Sequence, residues 1–206
     1  MEKLLTPRSK PIQERAHRQR ENILNVTSKL LLTVGIDELT TILVAKKVGI
    51  SVGTLYHYFP NKQAILYALS EIWIENILAT LEQISSATSS GTSLKRFVSD
   101  SAGHLAAVYA DCTALLPLVH AMEAIPELKP RYKSYYQSVC GLFSAIFKVL
   151  DVTANNDDGL YIAGIYWDLT HSVLSSGSRS AANNTKALAD LKYLQYCLLE
   201  RAKSQF

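Results

Sequence analysis

Three pairs of carboxylate and imidazole side chains stand one helical turn apart in the sequence: Asp100 with His104, His120 with Glu123, and Asp168 with His171. Residues at this spacing share a helix face, and helical bundles that hold two metal ions use a Glu-x-x-His pair from each of two helices. That site also needs further glutamates, and the one literal Glu-x-x-His, Glu14–His17, lies in the basic N-terminal segment. A helical metal-binding enzyme is therefore the least supported of three hypotheses, and we expect no bound metal or cofactor.

Other patterns that support catalysis are missing from the sequence. No G-x-S-x-G turn, Gly-rich phosphate loop or Cys/His nucleophile pair occurs in a supporting context. Cys112, Cys140 and Cys197 are odd in number, widely separated and without a C-x-x-C pair, which argues against a disulfide framework and a zinc finger. We therefore expect small buried thiols, no catalytic residues and a protein that is not an enzyme.

A different chemistry is indicated by the segment SVGTLYHYF at residues 51–59, which is rich in hydroxyl and aromatic side chains. If this segment is helical, Leu55 and Phe59 share one side and anchor it to a core. The opposite side carries little charge and consists of Val52, Gly53, Thr54, Tyr56 and His57, with Tyr58 as a further candidate. Such a face is ill-suited to being only solvated surface, and it fits insertion into a groove.

Two short crossed helices must position this face. The sequence predicts them over about 40–48 and 52–59, with apolar residues spaced to form a small core between them. Ala45 is small where the helices must approach closely, Gly49 suits a turn with positive φ, and Ser51 is placed to cap the second helix. Pro60 and Asn61 then break the chain, and Asn61 is a good N-cap for a long fourth helix.

The rest of the chain also has helical periodicity. No long run alternates apolar and polar residues with period two, as a β-strand would. A first helix over 12–34 is expected to end at Gly35. Later helices are expected over 94–110, 113–124 and 132–150, from about 159 onward and over 184–203, with a Ser/Gly/Thr loop at 85–93. The predicted fold class is all-α, with about nine helices.

Positive charge is concentrated at the N-terminal end. Residues 1–70 hold ten Lys and Arg against five Asp and Glu, whereas residues 71–206 hold eleven against thirteen. A small basic domain joined to a slightly acidic larger one is typical of a nucleic-acid reader attached to another module, and we expect these domains to be residues 1–65 and 66–206. Because no signal peptide or membrane span is evident, we expect a cytoplasmic protein that does not contact membranes.

The sequence S-V-G-T-L-Y-H-Y-F-P-N-K at residues 51–62 resembles the signature of the TetR family, whose members commonly read S-x-G-T-L-Y-x-Y-F-x-x-K. Gly35, the Leu39-Thr40-Thr41 start and the V-A-x-x-V-G-I-S run also match in order and spacing, so the resemblance covers about residues 19–67. It implies an N-terminal three-helix DNA-binding domain of the helix-turn-helix type. It also implies a larger C-terminal helical domain for ligand binding and dimerisation.

The resemblance also implies a role for each matching position. Phosphate contacts would come from Thr41, Ser51, Tyr56 and Lys62. Gly53 would allow the helix to approach the major groove, where Val52, Thr54 and His57 would touch base edges. For Tyr58, contact with DNA and packing against the fourth helix are equally supported.

Two positions depart from the family pattern. Ile42 and Val52 stand where relatives often carry Arg or Lys, so this surface should make fewer charged contacts. The basic residues near the N-terminus could offset that deficit along the minor groove or backbone, or could be ordinary solvated charges: Lys3, Arg8, Lys10, Arg15, Arg18 and Arg20. Lys46 and Lys47 are open to the same two interpretations.

By the same resemblance, the C-terminal domain holds a pocket for a small-molecule effector. Each residue that we consider for the wall of this pocket is aromatic or polar and could instead belong to the hydrophobic core. These residues are His104, Tyr109, His120, Met122, Tyr136, Cys140, Phe143, Tyr161 and His171. The penultimate helix is apolar all round over 160–167, and so must be covered on more than one side. A second copy packed about a two-fold axis through the last two helices would cover it, although both helices could also be core in a monomer.

These observations favour a sequence-specific DNA-binding transcriptional regulator. The leading hypothesis is a repressor that binds a palindromic operator as a homodimer, or as a pair of dimers, and is released by a small-molecule ligand. The alternative is a DNA-binding architectural protein on the same scaffold without an effector. Whether the outcome is repression or activation is left open by the sequence.

Overall fold

The computed structural model describes residues 9–176 and 181–205, and within these ranges it contains helices and no strand. The elements, in chain order, are α1 (Ser9–Val34), α2 (Thr41–Val48), α3 (Val52–Tyr58), α4 (Lys62–Ala87), α5 (Leu94–Asp111), a 3₁₀ turn (Thr113–Leu115), α6 (Leu116–Ala121), α7 (Lys129–Val149), α8 (Asn156–Ser175) and α9 (Ala181–Gln205). The all-α prediction is confirmed. Lys3 and Arg8 lie outside the described residues, and Lys10 falls on α1 in a turn whose side chains are likewise not described.

Capping interactions fix the first three helices where the sequence predicts them. Gly35 has a φ of 72° and ends α1, its N–H donating to the Leu31 carbonyl at 3.1 Å. Gly49 has a φ of 80° and ends α2 in the same way, its N–H donating to the Ala45 carbonyl. The hydroxyl of Thr40 accepts a hydrogen bond from the Leu43 N–H and so caps the start of α2. These ends orient α2 across α3, with Ala45 buried where α2 enters the core.

The long helix α4 joins the N-terminal helices to the remainder of the chain. Asn61 caps it by accepting a hydrogen bond from the Ala64 N–H at 2.8 Å. In the described ranges, α4 is the single helix whose length and composition would allow it to cross a membrane. Its side chains Trp73, Ile74 and Ile77 are fully buried in the protein, however, as in the core helix of a compact domain.

The C-terminal helices pack around an aromatic core. Helix α7 packs against α8 and α4, and α9 packs against α5 and α8. Phe97, Phe143, Phe147 and Tyr166 are fully or almost fully buried and contact one another edge-on, tilted or stacked. The Tyr166 hydroxyl is satisfied inside this core by Ser101, at 2.8 Å.

One predicted helix and one predicted loop differ from the sequence-based expectation. A single helix was expected over 113–124, but the chain forms the 3₁₀ turn, then the short α6, then turns up to residue 128. Pro117 lies in the first turn of α6 and lacks the N–H that a continuous helix would bond to the carbonyl four residues earlier, which favours a new helix start here. The loop expected from residue 85 begins later, since Ser86 stays in α4 by donating its hydroxyl to the Glu82 carbonyl.

Candidate functional site

Helix α3 presents the face that the sequence predicts. Leu55 is completely buried and Phe59 almost so, which fixes the helix from behind. Gly53, Thr54, Tyr56 and His57 are exposed, and Val52 is half-buried. Within the described residues, this face therefore remains open to a partner.

Tyr58 lies at the edge of the exposed face. Its ring is half-buried against the hydrophobic core, and it meets the His57 ring edge-on at a centroid distance of 5.5 Å. This geometry favours the packing role over direct contact with DNA.

Hydroxyl groups organise both ends of the exposed face. The Ser51 side chain accepts a hydrogen bond from the Thr54 N–H at 3.0 Å and lies 2.8 Å from the Thr54 hydroxyl. The Thr41 hydroxyl, at the start of α2, lies 3.2 Å from the Tyr56 hydroxyl. Thr41 and Tyr56, for both of which the family resemblance implies phosphate contacts, are thus adjacent, and each keeps lone pairs or a proton for an outside partner.

Gly53 has no internal reason to be glycine. Its φ is not positive, and a Cβ placed there would meet only the Ser51 hydroxyl, at 3.8 Å. That is an ordinary van der Waals distance, so an alanine would fit the chain itself. The packing of the chain itself therefore does not require glycine at this position.

Two basic side chains near this face already contact other residues of the protein. The Lys62 ammonium is half-buried and donates to the Ile36 carbonyl at 2.5 Å, which ties the start of α4 to the end of the first helical segment. The Arg20 guanidinium lies 5.6 Å from the centre of the Phe59 ring, in the range of a cation–π contact. Arg15 and Arg18 belong to α1, so part of the segment treated as a basic tail is helical.

The surface beside Thr41 is apolar. Ile42 is 66% exposed at the start of α2, where no neighbour covers it. Lys46 and Lys47 follow in the last turn of the same helix, and both are exposed. An exposed isoleucine flanked by hydroxyl groups is suited to contact with sugar or thymine methyl groups rather than with phosphates.

Three of the candidate effector residues are brought together by the fold. The Tyr109 hydroxyl lies 2.7 Å from Nδ1 of His171, and the His120 and His171 rings meet edge-on at 5.9 Å. Burial, and secondarily the positive charge of His120, lower the pKa of His171 to about 4. His171 is therefore neutral at physiological pH. Met122 is fully buried and belongs to the core.

Three further candidates lie along α7. The Tyr136 hydroxyl donates to a carboxylate oxygen of Asp168 at 3.1 Å, and its side chain is half-buried. Burial raises the pKa of the neighbouring Cys140 thiol, which keeps it protonated. Phe143 is completely buried and stacks on Phe147, so it is a core residue.

The remaining two candidates lie apart from the others. His104 is exposed on α5, where its ring bonds the Asp100 carbonyl at 2.7 Å beside a separate shallow cleft. Tyr161 is 65% exposed on the outer face of α8. The candidate set therefore does not form one site. In the part of the chain that the structure describes, no group of three or more His, Cys, Asp or Glu side chains is arranged to hold a metal ion.

Several polar residues in this region were not singled out by the sequence. Trp73 donates its indole N–H to the Tyr135 hydroxyl at 3.3 Å inside the core, and Gln195 donates to the Thr170 hydroxyl at 2.8 Å. Arg131 forms a two-point ion pair with Glu71. The partners in each pair lie far apart in sequence, so no local pattern could reveal them.

Two open cavities among the C-terminal helices are large enough for a small molecule. One of about 390 Å³ lies between α5, α6, α8 and the start of α9 and is lined in part by Tyr109, Thr113 and Asn184. The other, of about 530 Å³, lies beside α7 and is lined in part by Tyr132, Tyr136 and Asp168. Both fall in the size range of ligand sites.

Comparison with known proteins identifies the N-terminal part. Residues 23–69 match the family model of bacterial regulatory proteins of the tetR family. An uncharacterized HTH-type transcriptional regulator from Haemophilus influenzae is 32% identical over 63 residues, a match that spans 31% of this chain and 34% of that protein.

Solved structures extend the likeness to the whole fold. GusR from Salmonella enterica superposes with a TM-score of 0.68 at 22% identity, over 89% of this chain and 96% of that one. A TetR transcription regulator from Haloarcula marismortui gives a TM-score of 0.68 at 14% identity, over 90% and 98%. Residues 23–69 therefore match the tetR family of bacterial regulatory proteins, and the described chain has the all-α fold of solved regulators of this kind.

Proposed function

We propose that this protein is a sequence-specific transcriptional repressor that binds a palindromic operator as a homodimer and is released by a small-molecule effector. The main support for this proposal is the geometry of α3. This short helix is anchored by Leu55 and Phe59, and its other face is open and rich in hydroxyl groups. The proposed DNA-binding unit is residues 1–65 and the effector and dimerisation unit is residues 66–206, with α4 continuous across the boundary. A regulator of this kind works in the cytoplasm.

In this proposal, α3 lies in the major groove. Val52, Thr54 and His57 contact base edges, while Thr41, Ser51, Tyr56 and Lys62 contact phosphates on either side. The N-terminal ends of α2 and α3 add free N–H groups that favour phosphate oxygens. Ile42 replaces a charged contact with an apolar one.

The proposed dimer forms through α8 and α9. Tyr161 on α8 and Tyr193 on α9 are 65% and 67% exposed, and Leu160 and Leu194 beside them are also exposed. Large apolar side chains exposed on two packed helices are costly to leave in water. A second copy related by a two-fold axis would cover them in a four-helix interface.

The effector part of the proposal is supported by the two cavities in the C-terminal helices. A DNA-binding architectural protein without an effector is the second candidate, since the aromatic core itself is filled by Phe143, Phe147 and Trp167. The two candidates differ in one measurable respect, because only the regulator loses operator affinity when a ligand binds.

Selection of binding sequences from random duplex DNA tests the proposal. The full chain at low salt is expected to enrich inverted repeats with half-sites about one helical turn apart or a multiple of it. Thr54→Ala and His57→Ala should each cost about 1–3 kcal/mol at particular base pairs only. The exposed Lys95→Ala, on α5, is the matched control. Enrichment of no sequence, or an equal loss across all operator variants, would contradict the assignment.

A further inference from the structure

The cavity of about 530 Å³ beside α7 combines aromatic rings with charges of both signs. It lies between the connection that follows α6, the first half of α7 and the middle of α8. Two carboxylates and two lysines line it, and none of the four belongs to an ion pair within residues 9–176 and 181–205. Such a mixture is unusual for a plain surface depression, where opposite charges are free to pair.

Helix α7 supplies two parallel rows of side chains to this cavity. Tyr132 and Tyr136 are four residues apart and form an inner row, half-buried, with ring centroids 6.4 Å apart. Lys129 and Lys133 have the same spacing and form an outer row, exposed at the rim. The cavity is therefore aromatic at depth and basic at its edge.

The two carboxylates are exposed, like the lysines, but lie near the tyrosine row. Asp168 on α8 accepts a hydrogen bond from the Tyr136 hydroxyl at 3.1 Å. Besides burial, the negative charges of Glu123 and Asp168 raise the pKa of Tyr132, so both carboxylates act at its hydroxyl. The tyrosine side of the cavity thus offers negative charge and two aromatic faces, which together attract an ammonium group.

We propose that this cavity binds an amino-acid-type zwitterion, with its ammonium group between Asp168 and the rings of Tyr132 and Tyr136 and its carboxylate toward Lys129 and Lys133. Lys129 is the first residue of α7, whose N-terminal turn also favours an anion. A simple cation would leave the lysine row unmatched, and a simple anion would face Glu123 and Asp168. A ligand that carries both charges satisfies both rows.

The same turn of α7 is connected to the DNA-binding end of the molecule. Arg131 forms an ion pair with Glu71 of α4, with Nε–Oε1 at 2.6 Å and Nη2–Oε2 at 3.0 Å, and the side chains are about three-quarters buried. Helix α4 begins at Lys62, directly after the α3 segment. A ligand that draws Lys129 and Lys133 inward would shift Arg131 and hence α4. This regulatory step rests on the proposed function.

Calorimetry on the full chain with each standard amino acid tests the assignment. At least one amino acid should bind, and its decarboxylated amine and its deaminated acid should each bind ~10-fold or more weakly, since each loses one charge-assisted contact. An amine that binds as tightly as its parent would make this a cation site, and an equally tight acid would make it an anion site. Either result, or no binding by any amino acid, overturns the proposal.

Variants locate the binding. Asp168→Asn and Lys133→Met should each weaken binding by a similar factor, and His104→Gln, exposed on α5 outside the cavity, should not. Thermal unfolding of each variant shows whether its fold is kept. Equal affinity in all three variants would show that the amino acid binds elsewhere.

A DNA-binding assay separates the two levels of the proposal. The amino acid should lower the operator affinity of the native chain. The Arg131→Gln variant should still bind the amino acid and the operator, but the amino acid should no longer lower its operator affinity. A chain that binds no DNA at low salt contradicts the proposed function and leaves the calorimetric result standing. An amino acid that binds without changing operator affinity overturns the regulatory step alone.

Discussion

The hydroxyl groups of Thr41 and Tyr56 lie 3.2 Å apart and join the start of α2 to the exposed face of α3. Tyr56 is 48% exposed, so its hydroxyl can contact Thr41 and an outside acceptor together. The pair fixes the angle between the two helices of the motif at the point where we propose a phosphate group to bind.

Tyr56→Phe removes this hydroxyl and keeps the ring. We expect operator affinity to fall by about 0.5–1.5 kcal/mol, the value of one neutral hydrogen bond, and to fall equally for all DNA sequences. The slope of affinity against salt should stay unchanged, because no charge is lost. Fluorescence anisotropy with operator and random duplexes measures both quantities, and a loss confined to certain base pairs would count against a phosphate contact.

Gly53→Ala separates folding from binding. Because the added Cβ meets only Ser51 at 3.8 Å, the free energy of unfolding should rise by about 0.5–1 kcal/mol through the higher helix propensity of alanine. DNA affinity should fall, since the methyl group occupies space needed by the groove. Urea unfolding and DNA titration test the two effects; unchanged DNA affinity would show that α3 does not approach the bases at Gly53.

Lys62→Met tests whether one ammonium group serves both fold and DNA. Loss of the hydrogen bond to the Ile36 carbonyl should lower the free energy of unfolding by about 1–3 kcal/mol, as for a partly buried hydrogen bond from a charged group. If the same group also contacts phosphate, the slope of log affinity against log salt should decrease by about one. An unaltered slope with reduced stability would restrict Lys62 to a structural role.

Leu194→Glu probes the proposed dimer. The side chain is 47% exposed on α9, and a carboxylate buried there between two copies would be unpaired. We expect the variant to sediment as a monomer and to lose operator affinity. Leu32→Glu is the matched control, because Leu32 is 52% exposed on α1 away from that face. Dissociation by both variants, or by neither, would contradict an interface through α8 and α9.

His171 should make stability depend on pH in a defined window. Its pKa is lowered from 6.5 to about 4 in the folded protein, so the unfolded chain binds the proton more tightly. Its contribution to stability is complete above pH 6.5 and is lost as the pH falls toward 4, at up to about 1.4 kcal/mol per pH unit. Urea unfolding of His171→Gln should show a weaker dependence over this range than His104→Gln, whose ring is exposed. If the free energy of unfolding depended equally on pH in the two variants, the lowered pKa of His171 would be contradicted.

The sequence alone predicted the all-α fold, the two short helices of the motif, and which side of α3 is buried. These features follow from local rules: positive φ at Gly35 and Gly49, hydroxyl and amide caps at Ser51 and Asn61, and the four-residue spacing of Leu55 and Phe59. Local rules failed where Pro117 divides a continuous apolar pattern into a 3₁₀ turn and a short helix.

Tertiary structure alone decided which distant side chains meet. All the candidate effector residues except Met122 lie on helices, yet His104 and Tyr161 face outward while Tyr109 and His171 share a hydrogen bond across α5 and α8. The Arg131–Glu71 pair joins residues 60 positions apart. Helical periodicity determines the face of a residue on its own helix, but the partner across the interface depends on crossing angles set by the packing of the whole core.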